Sequence, residues 1–112
     1  MEKILIPLLD SEVAPRFDLA TDVLVVSCSR ETSAMGTIKE KVVVLNNASA
    51  EAACRLALSE NARTVICAGI ESEYYDFLTW KGTKVIDDVC GPVDRVLEAY
   101  LTDALDRGMN FY

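Results

Sequence analysis

Thiols are the side chains with the most chemistry to offer in this sequence. There are four: Cys28, Cys54, Cys67 and Cys90. No two stand as Cys-x-x-Cys, which disfavours a four-thiolate zinc site and a redox dithiol. Cys54 falls on an apolar helical stripe and Cys28 ends an apolar run, both ordinary places for a structural cysteine. Cys67 lies in an apolar run over 64–68, where a buried, inert thiol is the usual outcome. Cys90 differs, because Gly91-Pro92 follows it and opens a helix. A thiol near a helix N-terminus tends toward thiolate. The chain has no histidine, which removes every Ser-His-Asp or Cys-His triad and every His-ligated metal site. Cys67 and Cys90 stand in the two segments that run on into helix starts. Around them, Arg16 sits in a loop between Pro15 and Phe17 and can contact an anion. Phe17 reads as a hydrophobic plug under that loop, with Asp18 as a turn cap. Gly69 and Gly91 would let a ligand approach the backbone closely.

Two other chemistries can be written on the same residues. Asp10, Glu51 and Glu71 could hold a divalent metal in a nuclease of ribonuclease-H-like fold. Such an enzyme needs a basic surface, whereas 11 basic residues against 18 acidic ones give a net charge of −7. That balance argues against nucleic acid and against an anionic membrane surface. Tyr74, Tyr75 and Trp80 could form an aromatic edge for a protein partner, as in a cluster-free regulatory or scaffold domain.

These groups need elements to position them. With 112 residues the chain makes one domain over 1–112, and about two-thirds of its unfolded surface is buried on folding. No metal or disulfide is needed for it to fold. The N-terminal apolar run is short and interrupted by Pro7, unlike a signal peptide, and no run approaches a membrane span. A cytoplasmic location with reduced cysteines follows. Strands are expected over 3–8, 23–28, 37–45, 64–68 and 83–86, with a hairpin connection at 30–36 and an irregular segment at 11–19. Helices are expected from Ser49 as N-cap, over 72–80 with Gly82 as a stop, and from Pro92 along a stripe reaching Leu105. Residues 107–112 read as a loosely held tail. The first three strands lack crossover helices, so the second should run antiparallel; the helix-linked first, fourth and fifth should be parallel. A mixed five-stranded α/β sheet of order 3-2-1-4-5 with helices on both faces results, the ribonuclease-H-like motif. In such a sheet ligands collect beyond the carboxyl ends of the parallel strands. The loops after the first, fourth and fifth strands carry Arg16, Gly69 and Cys90.

Several stretches in this order resemble the dinitrogenase iron–molybdenum cofactor family. They are Lys3-Ile4-Leu5-Ile6-Pro7-Leu8, Val13-Ala14-Pro15-Arg16-Phe17-Asp18, Val65-Ile66-Cys67-Ala68-Gly69-Ile70, Val89-Cys90-Gly91-Pro92-Val93 and Val96-Leu97-Glu98-Ala99-Tyr100-Leu101. The resemblance covers essentially the whole chain. It implies a small, non-catalytic accessory protein that binds or carries an iron–sulfur or molybdenum–iron–sulfur cluster during metallocluster assembly, with the soft thiolates of Cys67 and Cys90 as metal ligands and Arg16, Phe17, Gly69 and Gly91 completing the cofactor-binding set. Its partners would be the cluster and its donor and acceptor proteins, with the chain a monomer or weak homodimer. Members tied to nitrogenase often have His-Phe-Gly where this chain has Arg16-Phe17-Asp18. Arginine does not ligate a metal, but it can pair with an anionic cluster.

Overall fold

The structure, a computed structural model, describes residues 2–29 and 38–112; the hairpin expected at 30–36 lies outside the described residues. The elements are β1 (Glu2–Leu9), β2 (Glu12–Val13), β3 (Asp22–Cys28), β4 (Ile38–Val44), α1 (Ala50–Ser59), β5 (Thr64–Ile66), α2 (Ser72–Trp80), β6 (Lys84–Ile86) and α3 (Val93–Leu101). The main path across the sheet is β4-β3-β1-β5-β6. β3 runs antiparallel to both β1 and β4, while β1, β5 and β6 are parallel.

The expected strand order therefore holds, but the sheet has six strands, not five. The extra one, β2, folds back on the end of β1 through the pairs Leu8↔Val13 and Leu9↔Glu12. Two residues show no periodicity, so the irregular segment concealed a strand. The turn between them is made by Asp10 at φ 55, a left-handed conformation that aspartate tolerates better than most residues.

β1 and β3 are apolar without a break because both faces are covered. Ile4, Ile6 and Leu8 of β1, with Leu24 and Val26 of β3, pack in one core with Val96, Leu97 and Tyr100 of α3. Leu5, Val23 and Val25 face the other core with Ala50, Ala53, Cys54 and Ala57 of α1 and Leu78 of α2. Pro7 is tolerated inside a central strand for a local reason. Its carbonyl accepts from Ala14 N at 2.9 Å, so its missing N–H faces the same side, past the Ile4 and Leu5 pairings with β5. Ser49 caps α1 as expected, its hydroxyl accepting from Ala52 N at 2.9 Å. α2 stops before Gly82 at φ 90. α3 ends at Leu101, one turn short of the Leu105 stripe. A buried polar pair beside the first core is satisfied: the Thr64 and Tyr100 hydroxyls lie 3.0 Å apart, and Tyr100 also donates to Glu2 at 2.8 Å.

Candidate functional site

Three loops meet beyond the carboxyl ends of β1, β5 and β6, and backbone hydrogen bonds join them. Phe17 N donates to Gly69 O at 2.8 Å and Gly69 N to Pro15 O at 2.9 Å. Val13 N donates to Gly91 O at 3.0 Å and Val93 N to Ser11 O at 2.9 Å. Asp88 N and Val89 N reach Ala68 O and Cys67 O at 3.0 and 3.1 Å. The convergence expected from topology is thus built, and built tightly.

The two glycines serve that tightness. A Cβ on Gly69 would stand 3.0 Å from the Pro15 carbonyl oxygen. A Cβ on Gly91, whose φ is 131, would stand 2.7 Å from Phe111 Cβ. Segments of the chain itself occupy both close approaches, where a ligand was expected.

The thiols have distinct surroundings. Cys28, Cys54 and Cys67 are buried, and Cys90 is half-buried. Cys67 packs in the core of Leu5, Phe17, Val65 and Leu78. Burial, followed by the charge of Asp87, pushes its thiol up to about 12. Cys54 is pushed to about 11 by burial and then by Glu51. Cys67 is fully enclosed by that core, so a metal would reach its sulfur only if the packing opened. These shifts predict alkaline sensitivity. In the unfolded chain both thiols lose their protons near the ordinary value of 9.0, whereas in the fold they keep them. The stability they contribute is complete below about pH 9 and is lost as pH rises toward 11 and 12. The urea midpoint should fall across that interval, and Cys67→Ala should make the fall shallower.

Arg16 is exposed and paired bidentately with Asp18, Nε–Oδ1 at 3.0 Å and Nη2–Oδ2 at 2.7 Å. An exposed pair of this kind contributes about 0–1 kcal/mol, so an arriving anion can share the guanidinium at little cost. Phe17 is 1% exposed and is the plug the sequence suggested. Acidic groups crowd the same end of the sheet, with Asp10, Glu12, Asp87, Asp88 and Asp94 on or beside these loops. Any anion arriving here would meet local donors set against the wider field.

The segment 107–112, expected to be loose, is tied down. Arg107 pairs with Asp87 through two bonds of 3.0 and 3.2 Å. Cys90 N donates to Met109 O at 3.2 Å and Phe111 N to Cys90 O at 2.9 Å. Tyr112 Oη donates to Glu12 at 2.7 Å, and Phe111 packs on the α3-side core. Sequence reasoning missed these contacts, although two consecutive aromatics after Gly108 were the available sign that the segment is anchored.

The remaining candidates stay apart. Asp10 lies in the β1–β2 turn, Glu71 is the N-cap of α2, and Glu51 accepts from Tyr74 Oη at 2.8 Å, a bond that lowers its pKa and lifts that phenol to about 12. Among the described residues no group of three or more Cys, Asp or Glu could hold a metal ion. Trp80 is 78% exposed, with Lys81 Nζ 4.8 Å from its ring centroid, while Tyr74 and Tyr75 are half-buried. Among the described residues no helix is long and apolar enough to cross a membrane.

A family model described as "Dinitrogenase iron-molybdenum cofactor" matches residues 3–103. Solved structures with the same fold include PH0822, at TM-score 0.78 and 18% identity, with 94% of each chain covered. The MJ0327 protein of Methanocaldococcus jannaschii aligns at TM-score 0.73 and 18% identity, over 93% of this chain and 91% of that one. The apo form of the orange protein of Desulfovibrio gigas aligns at TM-score 0.71 and 22% identity, over 96% and 92%. No functionally curated protein matches.

Proposed function

The chain belongs to the dinitrogenase iron–molybdenum cofactor family, and from that premise we propose that it is a non-catalytic accessory protein that binds an iron–sulfur or molybdenum–iron–sulfur cluster as cargo and passes it between donor and acceptor proteins. The observation that carries this reading is Cys90. It is the one thiol of the four that is not buried, and it stands where the loops after β1, β5 and β6 join. Its thiolate is a soft ligand for an iron of the cargo. Arg16, on the first of those loops, supplies a guanidinium to the anionic sulfide face, and Phe17 anchors that loop from beneath. Gly69 and Gly91 let the loops pack closely. Cys67 supports the site from the core and is not one of its ligands. The strand order reads as ribonuclease-H-like, and the setting as a reducing cytoplasm with the protein a monomer or weak homodimer. Neither nucleic acid nor membrane is a partner, in keeping with the net charge of −7.

Anaerobic reconstitution with iron, sulfide and molybdate tests the reading. The purified protein should gain visible absorption and bound iron. Cys90→Ser should lower uptake by at least about tenfold, and a folded Cys67→Ala should retain it. A colourless, iron-free protein after reconstitution overturns the proposal. The exposed Trp80 favours a second reading, a cluster-free scaffold with a docking edge on α2. That reading predicts partner binding lost in Trp80→Ala and kept in Cys90→Ser.

A further inference from the structure

We propose that residues 107–112 form a strap over Cys90 that must lift before this thiol can meet its cargo; the inference rests on Cys90 as the cargo ligand. The strap crosses Cys90 directly, since both the N–H and the C=O of that residue are bonded to it, at Met109 O and Phe111 N. Asn110 forms a single parallel bridge with Cys90. Tyr112 then reaches across to Glu12, so the strap spans two of the three loops. Glu12 is bridged to Pro92 on the opposite side of the Cys90 segment from the strap, so the Tyr112 side chain passes across that segment to reach it.

The fastenings suit a movable segment. Arg107 is 71% exposed along its side chain, so solvent screens its pair with Asp87. Tyr112 is 72% exposed. Only Phe111 packs on a core, and it does so half-buried. Segments with few buried contacts and exposed bonds open locally at far less cost than the whole domain. The match to the family also ends at residue 103, before the strap begins.

Alkylation by iodoacetamide, followed at each cysteine by peptide mass, tests the strap without any cluster. Three proteins are compared: the full chain, a chain lacking residues 107–112, and the full-length double variant Arg107→Gln/Tyr112→Phe. Cys90 should react at least about tenfold faster in the shortened chain and severalfold faster in the double variant. Cys28, Cys54 and Cys67 should stay protected in all three. If the shortened chain unfolds, those three also label, and the double variant decides. Equal Cys90 rates in every folded protein overturn the proposal. So does amide exchange at Gly108 and Phe111 as slow as in β1, because the segment would then be a fixed part of the domain. A protein that takes up no cluster in any form, yet shows the acceleration, sinks the proposed function and leaves the strap standing.

Discussion

Phe17→Ala should cost about 3–5 kcal/mol of folding stability, the usual range for emptying a buried aromatic site. Phe17 is 1% exposed and shares its core with Leu5, Val23, Val65, Cys67 and Leu78. Its N–H is bonded to Gly69 O at 2.8 Å, so main chain and side chain pin the same point of the loop. Removing the ring leaves the main-chain bond with nothing beneath it. The loop carrying Arg16 should then loosen with the fold. Phe17→Leu, which keeps most of the volume, should cost about 1 kcal/mol. Urea denaturation of both variants separates a plug from a surface contact with cargo. A surface contact predicts a near-neutral effect of Phe17→Ala on stability and a direct loss of cluster uptake in Phe17→Leu. The plug predicts the reverse.

Legibility in the sequence tracked how local the cause was. β1 and β3 could be read because burial on both faces leaves an unbroken apolar run. α1 could be read from the three-and-four spacing of Ala50, Ala53, Cys54 and Ala57, and the strand order followed from which connections contain a helix. The convergence of the loops was legible for the same reason, because it is a property of parallel strands. β2 was not, since its two residues are placed by the Asp10 turn and by pairing with Leu8 and Leu9. The role of Gly91 was not legible either. It depends on Phe111, twenty positions away, arriving against the backbone. A glycine that lets a ligand in and one that lets the chain's own segment in look identical in sequence. The Gly91-Pro92 after Cys90 already set it apart from Cys67 in the sequence, but the enclosure of Cys67 by α1, α2 and Phe17 comes from packing that no local pattern shows.

That dependence makes Gly91→Ala the sharpest test of how the strap and the site share energy. In the full chain the substitution should cost about 3 kcal/mol. Two parts contribute. The first is conformational: φ is 131 at Gly91, where an L side chain is strained by about 1–3 kcal/mol. The second is steric: the new Cβ would meet Phe111 Cβ at 2.7 Å and its backbone Cα and C at 3.1 and 3.2 Å. Only the second part requires the strap. In a chain lacking residues 107–112 the same substitution should keep the conformational cost and lose the steric one, leaving a coupling of about 1–2 kcal/mol between the two changes. The strap has an alternative to enduring the clash, which is to lift. Gly91→Ala in the full chain should therefore also speed alkylation of Cys90 toward the rate of the shortened chain. Equal costs with and without the strap would mean that Phe111 yields without resistance, and unchanged alkylation would mean that it yields while the strap stays closed. The expected pair of results, a coupling energy together with an exposed thiol, requires that one glycine hold both the turn into α3 and the seat of the strap.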